Sequence, residues 1–197
     1  MGRHLATIRA GDLDERFDAL QDLSELIEDA YGDDGAAIGR ELRAQGGVNV
    51  LATLLMEPYP EMQACVLQTL GNVCSDSVDP KSHETKSLLV AAGGDQVIFE
   101  CLLSDDESVL FMACAVLQNL CNEPEWSQIV VQQRAYIGLE ALLVHPEERV
   151  QRYSAGALRN LISSQRLIDA KLPELSDEAY EAIHRREIEA AIQMIRS

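Results

Sequence analysis

Apolar residues along the chain recur at spacings of three and four, with short breaks of glycine, proline or acidic residues between the segments. This spacing puts the apolar side chains on one face of an α-helix, so the pattern predicts helices throughout. The first is predicted over residues 12–30, with Asp12 as its N-cap. Residues 1–10 show no clear period and are predicted to be a frayed lead-in. The expected buried stripe of the first helix is Phe17, Leu20, Leu23, Leu26 and Ile27.

Three repeats follow, each with a short helix, a turn, a second helix and a longer third helix. Gly46-Gly47 and Gly93-Gly94 mark two of the turns, 47 residues apart, because glycine reaches the left-handed conformation cheaply. Arg134-Ala135 stands at this place in the third repeat, which predicts a turn that is built differently or is tighter. The predicted helices are 36–45, 48–56, 60–74, 82–92, 96–103, 107–123, 126–134, 137–144 and 147–163.

A tetrad with a polar third residue ends the long helix of each repeat. Asn72, Asn119 and Asn160 hold that position, 47 and 41 residues apart, and Asp22 holds it in the first helix. Periods in the forties are typical of stacked helical repeats. The tetrads are Leu20-Gln21-Asp22-Leu23, Leu70-Gly71-Asn72-Val73, Leu117-Gln118-Asn119-Leu120 and Leu158-Arg159-Asn160-Leu161.

The last stretch of the chain predicts one more amphipathic helix. Leu172-Pro173 interrupts the sequence, and residues 176–196 then carry a stripe that suits a cap over the last unit. The domain prediction is a lead-in over 1–11, a repeat region over 12–164 and a capping helix within 165–197. The repeat region divides into a partial repeat at 12–34 and full repeats at 35–79, 80–123 and 124–164. The stripe of the capping helix is Ala179, Ile183, Ile188, Ala191 and Ile195.

These segments resemble the armadillo repeat, over about residues 12–164. The matching text is GGVNVLATLL, MQACVLQTLGNVCSD, GGDQVIFECLL, VLFMACAVLQNLCNE, GLEALLVHP and VQRYSAGALRNLISS. The two-helix HEAT repeat is the alternative, and the distinct short helix before each glycine pair favours armadillo. The resemblance implies an all-α, right-handed solenoid of about three full repeats, with a partial N-terminal repeat and a C-terminal capping helix.

The resemblance also implies that the third helices line a concave groove, where the tetrad asparagines Asn72, Asn119 and Asn160 face an extended peptide and Asp22 is a substituted fourth. An amide donates and accepts at once, so a row of asparagines can hold a peptide main chain without reading its sequence. The alternative is that these amides bond only to neighbouring segments of their own chain.

Selectivity would come from side chains around the asparagines. Members similar to importin-α carry a Trp four residues before each Asn; here Asp18, Gln68, Ala115 and Gly156 stand there, so import cargo of that kind is not expected. The predicted groove is acidic at its N-terminal end, apolar in the middle and basic at its C-terminal end, which suits a partner with basic and apolar residues. Phe111 and Tyr153 are equally consistent with core positions. The further groove positions are Asp14, Glu15, Cys65, Phe111, Met112, Arg152 and Tyr153.

Charge and cysteine usage narrow the class of partner and compartment. Acidic residues outnumber basic ones 33 to 16, for a formal net charge of −17, which opposes binding to nucleic acid and to anionic membranes. The five cysteines form no CxxC pair, which indicates reduced thiols and a cytoplasmic location, with the nucleus as the alternative.

No catalytic, metal or cofactor motif occurs in the sequence. The four histidines are isolated, and no HExxH or EF-hand spacing is present. The sequence therefore predicts a non-catalytic adaptor that binds a peptide or helix of another protein and needs no cofactor. The alternatives are a structural subunit held through its convex face or terminal helix, and, less favoured, an enzyme or enzyme regulator. The oligomeric state stays open.

Overall fold

The computed structural model describes residues 1–185, which are mostly α-helical and contain no β-strand. The chain divides into two compact units, Met1–Val116 and Leu117–Ser197, and the boundary falls inside a helix. The helices are α1 (Gly2–Ala10), α2 (Leu13–Glu28), α3 (Asp33–Ala44), α4 (Gly47–Leu55), α5 (Pro60–Val73), α6 (Ser82–Ala91), α7 (Gly94–Cys101), α8 (Glu107–Leu120), α9 (Pro124–Gln132), α10 (Tyr136–Ala141), a 3-10 turn (Leu142–Val144) and α11 (Glu148–Leu167). Residues 177–185 are also helical.

The N-terminal segment forms α1, so the prediction of a frayed lead-in is wrong. Leu5 and Ile8 lie on one face of α1 and are buried, where α1 packs against α2. Two apolar positions are too few to show a period in the sequence. The predicted cap of α2 is confirmed: the Glu15 amide donates to Asp12 Oδ1 at 3.0 Å, and the Asp12 amide donates to Glu15 Oε2 at 3.1 Å.

The buried stripe of α2 differs in part from the prediction. Leu20, Leu23 and Ile27 are completely buried, whereas Phe17 is half-buried and Leu26 is 43% exposed. The helix packs against both α1 and α5. The position of these two neighbours therefore decides which flanking apolar residues are covered.

The turns before the second helices share one backbone conformation. Gly46 has φ 67° and Gly93 has φ 73°, as the glycine pairs predicted. Arg134 also has a left-handed φ, 60°, and its amide donates to the carbonyl of Val131 at 3.1 Å, as the Gly46 amide does to Arg43. The third turn therefore keeps the left-handed residue of the glycine turns. It is built differently at the next position, as expected, because Ala135 caps α10 and the helix begins only at Tyr136, whereas Gly47 and Gly94 begin their helices.

The second position of each turn is matched to a buried aliphatic side chain five residues earlier. A Cβ on Gly47 would overlap the side chain of Leu42, and a Cβ on Gly94 would overlap that of Leu89. In the second unit the same two positions hold Ala135 and the buried Val130. Valine is shorter than leucine by one carbon, which leaves room for the methyl group of alanine.

A buried polar network holds the loop between α5 and α6. The carboxylate of Asp79, which is 1% exposed, accepts a hydrogen bond from Arg43 Nη1 at 2.5 Å, and Arg43 also donates to Thr85 Oγ1 at 2.7 Å. Close by, Lys86 is 1% exposed and its Nζ lies 3.1 Å from Asp76 Oδ1. Burial opposes ionisation of Asp76, but hydrogen bonds from Ser82 and Lys86 and the charge of Lys86 lower its pKa overall.

In the second unit, α11 packs against α9 and α10. The hydroxyl of Ser164 donates to the carbonyl of Cys121 at 2.8 Å. The helical residues 177–185 bury Ala179 and Ile183, as predicted for the capping helix, and the Ser176 amide donates to Glu140 Oε1 at 2.8 Å. Ile188, Ala191 and Ile195 of the predicted stripe lie outside the described residues.

Candidate functional site

The first unit contains a cleft between α2 and α5, about 340 Å³ in volume, which we call the α2–α5 cleft. Its α2 wall is the helix face beside the buried stripe of Leu20 and Leu23, because residues separated by three, four or seven positions share a face. Met112 of α8 completes the lining. The lining residues are Phe17, Gln21, Ser24, Glu25, Glu28, Glu61, Ala64, Cys65, Gln68 and Met112.

Three carboxylates give this cleft a negative rim. Glu25, Glu28 and Glu61 all line it and are all exposed, and no Lys, Arg or His is among the lining residues. Gln68 Nε2 donates to Glu28 Oε2 at 3.1 Å, which links the two helices across the cleft. The rim therefore favours a cationic group and disfavours an anion.

The floor of the cleft combines soft apolar groups with one buried hydroxyl. Ser24 is 5% exposed, and its Oγ has no hydrogen-bond partner in the described part of the chain. The hydroxyls of Ser24 and Thr69 lie near enough to the half-buried Cys65 thiol to oppose the effect of burial, which still raises the pKa of Cys65. The thiol is thus protonated at neutral pH and is not a nucleophile.

The structure brings only some of the predicted groove residues together. Gln68, Cys65 and Met112 line the α2–α5 cleft. Asp18 and Asp22 instead line a separate cleft of about 760 Å³ between α1 and α2, where Asp22 Oδ2 lies 3.9 Å from His4 Nδ1. The two aspartates therefore lie on the face of α2 that is turned towards α1. The sequence predicted no helix at the position of α1, so this neighbour was not expected.

The tetrad asparagines differ in their hydrogen bonds. Asn160 Nδ2 donates to the backbone carbonyl of Gln118 at 2.7 Å, and Asn160 Oδ1 accepts from Arg159 Nη2 at 3.1 Å. This is the structural bonding that the sequence left as the alternative. The half-buried Asn72 makes no side-chain hydrogen bond within residues 1–185, and Asn119 is half-buried. Contact of the asparagines with a peptide stays a prediction.

The other predicted groove residues lie at varied depths. Phe111 and Tyr153 are half-buried, which lies between the core and hot-spot alternatives. Arg152 is exposed and lines a cleft of about 150 Å³ with Ala182 and Arg185. It therefore faces the C-terminal helical residues within the second unit.

Sequence reasoning missed most of the α2 wall. Phe17 was assigned to the core, and Gln21, Glu25 and Glu28 were given no role. Gln21, Glu25 and Glu28 are four and three residues apart, which puts them on one helical face next to the buried stripe. The spacing that defines the face was therefore visible in the sequence. Without the position of α5, nothing in the sequence distinguished this face from the solvated one.

Outside the α2–α5 cleft, the cysteines of the described residues are buried in the core. Burial raises the pKa of both Cys74 and Cys114 to about 12, so these thiols are unreactive at neutral pH. No group of three or more His, Cys, Asp or Glu in residues 1–185 is placed to hold a metal ion. Over the same residues, no helix has the length and apolar character needed to span a membrane.

Comparison with known proteins supports the fold. No protein-family model matches the chain, and no curated protein does. Among solved structures, an engineered protein is 27% identical over 94% of this chain and 67% of its own, with a TM-score of 0.72. Computationally designed armadillo repeat proteins for modular peptide recognition are 21% identical over 92% of this chain and 78% of theirs, with a TM-score of 0.70. A designed armadillo repeat protein in complex with peptide (KR)4 is 17% identical over 99% of this chain and 91% of its own, with a TM-score of 0.69. The chain thus has an armadillo-like repeat fold, which confirms the predicted all-α solenoid class.

Proposed function

We propose that this protein is a non-catalytic adaptor that binds a cationic peptide segment of another protein, with a Lys or Arg side chain of that segment in the α2–α5 cleft. The observation that carries the proposal is the composition of the cleft. Three exposed glutamates line it, and no Lys, Arg or His is among its lining residues.

Lysine and arginine match this cleft along their whole length. Each has an apolar stem and a charged end, and the stem can pack against Phe17 and Met112. The charged group can then reach the carboxylates of Glu25 and Glu61 at the rim.

Two further observations support a peptide as the ligand. One structural relative of this chain is a designed armadillo repeat protein in complex with the alternating basic peptide (KR)4. In addition, Asn72 lies one helical turn beyond Gln68 on α5, and its amide is available to the main chain of a bound peptide. We place this interaction in the cytoplasm, because all five cysteines are free thiols.

The test is fluorescence anisotropy with a labelled peptide of alternating Lys and Ser, and with a matched peptide of Glu and Ser. The variant Glu25→Gln/Glu61→Gln should bind the Lys peptide about tenfold more weakly at low salt, because it removes two carboxylates beside the bound cation. The control Glu178→Gln/Glu181→Gln removes two exposed carboxylates of residues 177–185 and should change affinity less than about twofold. Circular dichroism should be the same for all three proteins.

Two outcomes count against the proposal. Equal weakening by the cleft variant and the control variant would show that the peptide senses only the net charge of the protein. Failure of the unmodified protein to prefer the Lys peptide over the Glu peptide would remove the cationic ligand altogether.

A further inference from the structure

Exposed aliphatic side chains recur at one position of the repeat, the turn between the second and third helices. Met56 is 55% exposed, Leu103 is 81% exposed and Val144 is 85% exposed. They are 47 and 41 residues apart, the same spacings as the tetrad asparagines. Single exposed apolar residues are ordinary on protein surfaces, but recurrence at one repeat position indicates a shared role.

In the first unit, two of these residues belong to one surface feature. Met56 and Leu103 line a single cleft of about 280 Å³, together with Val97 and Cys101. We call the surface formed by Met56, Val97 and Leu103 the apolar edge.

The apolar edge has acidic surroundings without a cation in the flanking sequence. Glu100 lines the cleft and is exposed, and the exposed Asp105, Asp106 and Glu107 follow directly after Leu103. No Lys or Arg occurs in residues 44–80 or in residues 87–133. Arg16 of α2 reaches Glu57, next to Met56, where the two charges offset each other. An apolar surface bordered by one sign of charge favours an occupant that presents apolar side chains flanked by the opposite charge.

We infer that the apolar edge docks a cationic amphipathic helix of another protein, at a site separate from the α2–α5 cleft. Aliphatic side chains of the helix enter the cleft between Met56 and Leu103, and its Lys or Arg residues face Glu100, Asp105 and Glu107. The occupant is a helix because the edge consists of helix ends and turns and offers no strand edge to an extended main chain, whereas a helix satisfies its own backbone. A second copy of this chain would bring a further net charge of −17 to the same surface.

The test uses a fluorescein-labelled peptide of about 14 Leu and Lys residues in helical amphipathic order, about four turns long, and a scrambled peptide of the same composition. Anisotropy is measured at about 150 mM NaCl, where surface charges farther apart than about 8 Å are screened. The variant Met56→Gln/Leu103→Ser should bind the amphipathic peptide about tenfold more weakly. The control Leu13→Gln/Leu167→Ser replaces residues that are 42% and 82% exposed elsewhere and should change binding less than about twofold.

Three results would overturn the inference. The first is equal binding of the amphipathic and scrambled peptides, and the second is equal weakening of binding by the edge variant and the control variant. The third is a dimer in sedimentation experiments that Leu103→Ser abolishes, because it would assign the edge to a second copy. The Glu25→Gln/Glu61→Gln variant should still bind the amphipathic peptide within about twofold of the unmodified protein. Failure of the α2–α5 cleft as a peptide site would therefore leave this inference standing, and the reverse also holds.

Discussion

Arg134 shows how one residue can keep a backbone conformation that its side chain disfavours. Its φ of 60° is close to the values of 67° and 73° at the equivalent Gly46 and Gly93, and all three lie in the left-handed region. A side chain in the left-handed region costs about 1–2 kcal/mol, whereas glycine costs about 0.5–1 kcal/mol more than alanine in lost chain entropy. The steric term is the larger, so the arginine is the less favourable choice here.

We therefore expect Arg134→Gly to raise the free energy of unfolding by about 0.5–1 kcal/mol. Arg134 is exposed, so little packing is lost, and the gain should appear as a higher urea midpoint with an unchanged slope. The control Arg166→Gly, in the last turn of α11, should instead lower the free energy by up to about 1 kcal/mol, the usual cost of glycine in a helix. A loss of stability in both variants would contradict this account of the third turn.

At the scale of elements, the approach of successive helices is set by pairs of side chains. Gly47 starts α4, and its Cα lies so close to Leu42 of α3 that a methyl group would not fit. The equivalent positions in the third repeat hold Ala135 and Val130, so one carbon has moved from one residue to the other, and the Ala135 amide donates to the Val130 carbonyl at 3.0 Å. The helix-to-helix distance thus tolerates a change of residue only when its partner changes too.

A double-mutant cycle tests this pairing. Gly47→Ala should lower the free energy of unfolding by about 1–3 kcal/mol through overpacking, and Leu42→Val should lower it by about 1 kcal/mol through the space it leaves. Together they should cost less than the sum of the two by at least about 1 kcal/mol, because the added methyl fills that space. Chemical denaturation of the four proteins measures the coupling, and additive costs would show that the two positions are independent.

At the scale of the whole molecule, the formal net charge of −17 opposes compaction. The cations that the first unit buries, such as Lys86, are neutralised by nearby carboxylates, so the surplus negative charge is spread over the surface. Surface charges are screened by salt, while buried pairs are screened much less.

Salt should therefore stabilise this protein. Raising NaCl from about 10 mM to about 500 mM shortens the Debye length from about 30 Å to below about 8 Å, and a gain of about 1 kcal/mol would raise the melting temperature by about 2–4 °C. The melting temperature is measured by circular dichroism, with KCl at equal ionic strength as a check against specific ion binding. A melting temperature that falls with salt would mean that surface ion pairs outweigh the repulsion.

The candidate site was predictable only in part. Gln68, Cys65 and Met112 were identified from their distance to the tetrads, since one helix face has a fixed spacing, and they do line one cleft. Asp18 and Asp22 were placed in the same groove by the same reasoning, but they line the cleft between α1 and α2 instead. The burial of the Ser24 hydroxyl could not be predicted from the sequence, because it depends on how the helices pack.

The sequence by itself determined the repeat period, the order of the helices, the Asp12 cap and the turns at Gly46 and Gly93. Each of these depends on local spacing or on the conformational freedom of one residue, which need no distant partner. Only the tertiary structure decided that α1 forms, that Leu26 is left exposed and that Arg134 takes a left-handed conformation. These depend on which neighbouring helix covers a face or holds a turn, and that information lies in contacts between segments far apart in the chain.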